Sequence, residues 1–177
     1  MSVGTSDPRL RIGVADLRRH PGDRLEVDRD IDLDGISVST AAVPPGRPGH
    51  LDVVLESLSD GITVSGTLSV PWEGPCRRCL EDTTGTAVAE LREVFSDSPV
   101  DEDLLPLDGD VVDLGPLVHD AAVLALPLAP LCREDCAGPD PEHFPVVTGS
   151  DEAPPADPRW PALDELRFDP APDDPLE

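Results

Sequence analysis

The sequence predicts an α+β protein: a curved antiparallel β-sheet of four to six strands, one main helix packed on it, and a disordered acidic C-terminal tail. Runs of alternating polar and apolar residues, separated by turn signals, are typical of antiparallel strands. One stretch, residues 113–126, is apolar with helical spacing. Beyond residue 136 prolines and acids dominate, and so little apolar surface does not offset the entropy of ordering the chain.

The strands are predicted from alternation and from the turn residues between them. A Ser-Asp-Gly turn at residues 59–61 joins two alternating runs, which indicates an antiparallel hairpin. In chain order, the segments expected to be extended are 10–17 (a short strand or a helical turn), 31–38, 51–58, 62–70 and 83–95. The acidic, proline-containing stretch 96–110 is expected to be a loop.

The main helix is predicted from its ends as well as from its spacing. Asp113 or Gly115 can cap it, Pro116 is tolerated in the first turn, and Pro127 stops it. One broad apolar face is expected to pack on the sheet. Its members are Leu114, Leu117, Val118, Ala121, Leu124 and Ala125.

The chain divides into one domain, residues 1–136, and a tail, residues 137–177, that is mostly disordered. One island interrupts the tail, where Asp157 can cap a short amphipathic turn over residues 157–166. Trp160, Leu163 and Leu166 share one face of that turn. It is expected to dock on the domain or on a partner.

The net charge of −24, from 37 acids against 13 bases, disfavours extensive direct contact with nucleic acid, although the arginines between Cys76 and Cys79 could still touch RNA locally. A basic protein is the natural partner, although acidity also simply favours solubility. The chain contains neither Lys nor Tyr, which removes lysine Schiff-base and tyrosine acid chemistry. The N-terminus lacks the apolar core of a signal peptide and no stretch is long enough to cross a membrane, so a cytoplasmic location is expected.

Four cysteines form two close pairs, Cys76 with Cys79 and Cys132 with Cys136. Two such pairs are what a tetrahedral zinc site requires, and a reducing compartment favours metal over disulfide. Reduced structural thiols, or a disulfide formed on oxidation, remain open. The adjacent bases Arg77, Arg78 and Arg133 are expected to lower the thiol pKa values. His143 is a further candidate ligand, although a histidine in a Pro-rich loop is more often simply exposed.

Motifs of catalysis are absent from the sequence. No GxSxG, Walker, GxGxxG or HExxH pattern occurs. His119 and Asp120 could form a base with its orienting acid, but no nucleophile stands at a fixed spacing from them, so a solvated helix face is preferred. The many acids, which could hold Mg²⁺, show no regular spacing. The sequence therefore predicts no catalytic residues.

Taken in order, the landmarks resemble the YceD family of large ribosomal RNA subunit accumulation proteins, in the form found in high-GC Gram-positive bacteria. They are the hairpin leading into Cys76-Arg-Arg-Cys79-Leu80, the helix opened by Val112-Asp113-Leu114, the segment Leu124 to Cys132 with Cys136, and Asp157-Pro-Arg-Trp160-Pro-Ala-Leu163. Many relatives continue with further cysteines. This chain has Ala137 to His143 there, which leaves either a four-cysteine site or a degraded one.

The resemblance implies a non-enzymatic ribosome-biogenesis factor that supports accumulation or processing of 23S ribosomal RNA. Together with the acidity, it predicts action through basic ribosomal or RNA-processing proteins. Two alternatives stay open: a metal-dependent RNA-processing hydrolase, and a zinc- or thiol-responsive adaptor.

Overall fold

The computed structural model describes residues 8–97 and 104–143. It confirms the α+β class: a curled five-stranded sheet, a two-stranded sheet and one α-helix enclose a single core. The elements are β1 (Arg11–Gly13), β2 (Arg24–Ile31), β3 (Gly49–Ser57), β4 (Gly61–Pro75), β5 (Asp82–Ser96), β6 (Leu104–Pro106), β7 (Val111–Asp113) and α1 (Gly115–Ala125), with 3-10 turns at Pro8–Leu10 and Leu17–Arg19. The predicted turn at 157–166, and the rest of the predicted tail beyond residue 143, lie outside the described residues.

The large sheet has the order β2-β3-β4-β5-β6, and its neighbours are antiparallel except β5 and β6. The sheet is therefore mixed rather than purely antiparallel. Residues 104–106, assigned to a loop from the sequence, form the parallel strand. The sequence did not reveal this strand because three residues are too few to show alternation. The small sheet pairs β1 with β7 beside the start of the helix.

The hairpin of β4 and β5 is the longest feature of the fold, with 15 residues in each strand. The two predicted strands are confirmed, but both extend further towards the hairpin tip. Pro71, expected to end its strand, lies within β4 opposite Thr86. The pairing continues to Pro75 and Asp82, so the loop with the first cysteine pair sits at the far end of a long, twisted ribbon.

The strand predicted at 31–38 is wrong. The strand in this region is β2, which lies earlier in the chain and ends at Ile31. The residues after it form a turn in which the Ile36 amide donates to the Leu33 carbonyl oxygen (3.3 Å). Leu33 and Ile36 are both buried. Their side chains pack into the core from a loop. The sequence of this loop therefore alternates between apolar and polar residues much as a half-buried strand does.

The core occupies the concave side of the sheet and is aliphatic. Its fully buried members include Ile31, Leu51, Leu55, Ile62 and Leu68. The inward positions of β3 and β4 alternate as period-two burial requires. Val and Leu thus supply the burial that a chain with 3% aromatic residues cannot obtain from rings.

The helix is confirmed, but the residue at its N-cap position is Leu114 rather than Asp113 or Gly115, and it makes no side-chain cap hydrogen bond. Asp113 still contributes at this end, because its Oδ1 accepts from the Gly115 amide at 2.9 Å. The predicted apolar face is only partly right. Of its members, Leu114 and Val118 are buried, whereas Leu124 is 84% exposed. Ala122, which was not predicted for this face, is buried in its place. The helix is apolar nearly all round, so spacing alone does not select the stripe that meets the sheet.

No helix in the described ranges has the length and apolar character needed to cross a membrane.

Candidate metal centre

The loop between β4 and β5, residues 76–81, folds back on itself at the hairpin tip. The Cys76 amide donates to the Glu81 carbonyl oxygen (2.8 Å), and the Leu80 amide donates to the Cys76 carbonyl oxygen (2.9 Å). Leu80 has a φ of +63°, a left-handed conformation that usually selects glycine. This tight turn places Cys76 and Cys79 on the same side of the loop, facing the second pair.

The second loop, which follows α1, is bound to the first by backbone groups. The Arg77 amide donates to the Pro130 carbonyl oxygen at 2.9 Å. The Arg78 guanidinium donates to the carbonyl oxygens of Glu134 (3.0 Å) and Cys136 (2.8 Å). Arg78 is therefore a bridge between the loops. Its sequence signal was only its place between two cysteines, which does not reveal what the side chain contacts.

The four sulfur atoms converge. All four Sγ atoms lie within 4.8 Å of one another, and the pairs Cys76–Cys136 and Cys79–Cys132 are each 3.8 Å apart. The thiols are free. A tetrahedron of Zn–S bonds about 2.3 Å long has edges of about 3.8 Å, so this cluster has the dimensions of a four-thiolate zinc site.

The two halves of the cluster differ in exposure and in acidity. Cys76 and Cys136 are buried, and Cys132 is exposed. Hydrogen bonds from the backbone amides of Cys79, Cys132 and Arg78 lower the pKa of Cys76 to about 6. The hydrogen bond with Cys136, burial and the neighbouring sulfurs raise the pKa of Cys132 to about 12. The predicted lowering of the thiol pKa values is therefore wrong for Cys79 and Cys132, whose pKa values are raised. It is right in direction for Cys76, where backbone N–H groups rather than arginine charge are the cause.

Such opposed pKa values describe a cluster that releases one proton readily and resists losing the next. A divalent cation among the sulfurs reverses that resistance, because its charge stabilises every thiolate at once. The donor set is all sulfur, which suits Zn²⁺ and does not suit Mg²⁺ or Ca²⁺. The predicted ligand set is therefore brought together complete.

The histidine candidates do not join the cluster. The His143 Nδ1 lies 3.0 Å from Asp140 Oδ1, on an exposed turn. The His119 Nδ1 lies 3.2 Å from Asp120 Oδ1, on the helix surface. In the described ranges, the four cysteines are the one group of His, Cys, Asp or Glu side chains that could hold a metal ion.

The fold and the site together define a class of protein. It is a curled α+β domain in which four cysteines lie where the hairpin tip meets the loop after the helix. The family model described as "Large ribosomal RNA subunit accumulation protein YceD" matches residues 64–167. The chain belongs to this family, and the resemblance drawn from the cysteine and helix landmarks is confirmed.

Relatives support the assignment. Uncharacterized proteins of Mycobacterium tuberculosis and Mycobacterium bovis are each 32% identical over 167 residues, covering 89% of this chain and 81% of theirs. The uncharacterized protein YlbN of Bacillus subtilis is 23% identical, covering 86% of this chain and 94% of its own. No solved structure matches this chain.

Proposed function

We propose that this protein is a non-enzymatic cytoplasmic factor that supports accumulation or processing of large-subunit (23S) ribosomal RNA. The observation that carries the proposal is the family match over residues 64–167, which includes β4, β5, α1 and both cysteine pairs. The family description names large ribosomal RNA subunit accumulation. The site at the hairpin tip is then a structural element of that factor rather than a reaction centre.

A structural Zn²⁺ held by Cys76, Cys79, Cys132 and Cys136 is part of this proposal. Support comes from the sulfur separations of 3.8 Å. Four thiolates would complete a tetrahedral shell and leave no open position for a water nucleophile, which a catalytic zinc requires. This argues against the metal-dependent hydrolase. The reduced thiols that such a site needs are maintained in the cytoplasm.

Metal content tests this part directly. Native mass spectrometry and elemental analysis of protein purified under reducing conditions should find about one zinc per chain. Less than about 0.2 equivalents would contradict the metal site. The variant Cys132→Ser should lose the ion, and Ser57→Ala, which keeps all four sulfurs, should retain it.

Basic ribosomal or RNA-processing proteins are the proposed partners. Several arginines of the described surface are already paired with acids: Arg11 with Asp108 and Asp113, and Arg24 with Glu56. The excess charge is therefore negative. On the sheet, Asp28 lies directly opposite Asp52. Like charges placed so cost stability. His50, whose Nε2 lies 3.4 Å from Asp28 Oδ1, offsets part of that cost when protonated, and a cationic partner would offset more.

Binding to purified basic large-subunit proteins should weaken steeply as salt rises from about 0.05 to 0.5 M, because screening shortens the range of the acidic field. Asp28→Asn with Asp52→Asn should weaken binding at low salt. Glu134→Gln with Glu142→Gln removes the same charge away from the sheet and serves as the control. Salt-independent binding would contradict an electrostatic partner surface.

The biological role is tested by depletion. Loss of the protein should lower the large-subunit peak on sucrose gradients and raise precursor 23S RNA, and the wild-type chain should restore both. Unchanged large-subunit levels with normal precursor RNA would contradict the proposed role. Purified protein should not cleave precursor RNA with or without Mg²⁺, and cleavage would instead support the hydrolase.

A further inference from the structure

A groove runs between α1 and the outer edge of β5, with a volume of about 910 Å³. Its floor and walls include Leu91, Leu105, Leu117, Ala121 and Leu124. Leu124 is 84% exposed and Val88 63% exposed. The helix residues among them belong to the predicted apolar face: Leu117 and Ala121 are only partly buried against the core, and Leu124 is exposed. The groove is thus an apolar surface without a partner in the described part of the chain.

The strand that forms one wall has a long open edge. Within the described ranges, β6 is the only strand next to β5 on that side, and it pairs only with Val94 to Ser96. From Asp82 to Glu93 the outer edge of β5 has no paired strand there. Proteins usually cover such an edge with a loop or a helix, because it otherwise invites aggregation. An apolar helix face beside an open edge indicates a covering segment.

We propose that the groove is the docking site of residues 157–166 of the same chain. In a segment rich in proline and acids, Trp160, Leu163 and Leu166 are a concentrated apolar group, spaced for one face of a helical turn. The family match extends to residue 167. The matched unit therefore includes this island, together with both walls of the groove, and the two apolar surfaces complete each other.

The chain is long enough for this contact. About 14 residues separate 143, where the described structure ends, from 157, and they span up to about 50 Å when extended. Gly138, five residues before the end of the described chain, lies beside the Arg78 carbonyl oxygen, in the loop at the Asp82 end of β5. Leu91 is about nine residues along β5, or about 30 Å from that end.

Charge offers only local contacts at the groove. Glu90, Glu93 and Asp120 line it, and Arg92 is the only base there among the described residues. Arg159 lies in the docking segment and Arg167 follows it, but the segment also carries the acids Asp157, Asp164 and Glu165. The two arginines can pair with acids of the groove, and burial of the apolar triad supplies the main attraction.

Hydrogen exchange of the full-length protein tests the proposal. Trp160→Ala with Leu163→Ala should accelerate exchange of the backbone amides at 86–93 and 117–125 by about tenfold or more. Leu124→Asp, on the groove side, should do the same to residues 157–166. Leu128→Asp alters an equally exposed leucine that does not line the groove, and exchange should then stay at the wild-type rate.

Unchanged exchange in the groove of the Trp160 and Leu163 variant would overturn the proposal. Light scattering gives a second criterion: the protein should be monomeric at every concentration at which the groove amides are protected from exchange. Protection that appears only with dimer formation would overturn it in favour of a second copy of the chain. Protection that requires an added basic protein would overturn it in favour of a partner.

Discussion

Leu80 is the one residue other than glycine with a positive φ in the described ranges. Glycine at this position would remove the steric cost of the left-handed conformation, which is about 1–2 kcal/mol for an L-residue. Leu80→Gly should therefore raise the free energy of unfolding by about 0.5–1 kcal/mol after its unfolded-state entropy is counted. Urea denaturation measures this. Leu128→Gly, also at an exposed leucine, should instead lower stability, and a loss at both positions would contradict the strain argument.

His50 on β3 lies among acids of two strands. Its Nδ1 is 3.0 Å from Asp30 Oδ1 and its Nε2 is 3.4 Å from Asp28 Oδ1. The hydrogen bond with Asp30 is the largest effect and raises the pKa of His50 above 6.5. Partial desolvation opposes it, and the charges of Asp28, Asp30 and Asp52 each add a smaller upward effect. The stabilisation is thus fully present below pH 6.5 and is lost as pH rises through the raised pKa.

An NMR titration of the His50 imidazole should give a midpoint above 6.5, and Asp30→Asn should lower it. Asp82→Asn, at the hairpin tip, should leave the midpoint in place. The stability difference between wild type and His50→Gln should shrink from pH 6 to pH 8. A midpoint at or below 6.5, or a difference that grows with pH, would contradict this description.

At the site, the sequence was sufficient to predict which four cysteines come together, and insufficient to predict the contacts that hold their loops in place. Thiol spacing marks Cys76, Cys79, Cys132 and Cys136 because zinc knuckles need short spacing within each pair. The bridging contacts of Arg78 depend on two loops meeting, and that is set by the β4–β5 register and the end of α1. Local sequence does not encode such a distance.

The helix α1 is attached to the sheet by one narrow stripe of its surface. Leu114 at its start is buried to 1% exposure, whereas Leu128 after its end is 77% exposed. Leu114→Ala should cost about 2–5 kcal/mol, since it removes buried methyl groups and leaves a cavity. Leu128→Ala should change stability by no more than about 0.5 kcal/mol. Thermal or urea unfolding of both variants measures the contrast, and equal losses would contradict the assigned face.

The close approach of β3 and β4 depends on Gly66. Its φ is +154°, and a Cβ there would lie 2.1 Å from the Asp52 carbonyl oxygen. Gly66→Ala should therefore destabilise the protein by at least about 1–3 kcal/mol, the usual cost of a disfavoured backbone conformation. A Cβ added at Gly13 in β1 would meet nothing within 4 Å beyond its chain neighbours, so Gly13→Ala is the control. Equal stability of the two variants in urea denaturation would contradict the steric explanation.

Elements were predictable where a local rule determines them. The strands β3, β4 and β5 follow from alternation and the 59–61 turn, and α1 follows from its apolar spacing and from the prolines near its two ends. The prediction of a strand at 31–38 failed because Leu33 and Ile36 belong to a loop and are buried by tertiary packing. The strand β6 was missed because its extended conformation depends on pairing with β5 and not on a pattern in its own three residues.

At the scale of the whole molecule, two separate devices hold the fold together. The aliphatic core between sheet and helix contains none of the four cysteines. The cysteine cluster instead joins the hairpin tip to the chain that leaves α1, at one end of the domain. Metal at the cluster would therefore secure the periphery of the fold, and the core would remain independent of it.

Zinc removal should then unfold the cysteine loops and spare the core. After chelation under reducing conditions, exchange at the Arg77 and Leu80 amides should accelerate by at least about tenfold, because their hydrogen bonds cross or close the loops that the ion holds. Amides of β3 should keep their protection, and the β-sheet circular dichroism should persist. Lowering the pH should have the same local effect, since protons compete with zinc for thiolate.

Cys132→Ser should reproduce the chelated state without added chelator, and its exchange should not respond further to chelation. Ser57→Ala, with all four sulfurs intact, should respond as the wild type does. Global unfolding on chelation would mean that the core depends on the metal, which its composition argues against. If chelation leaves exchange at Arg77 and Leu80 unchanged, hydrogen bonds alone hold the two loops together. The cluster would then be a set of reduced thiols without a metal.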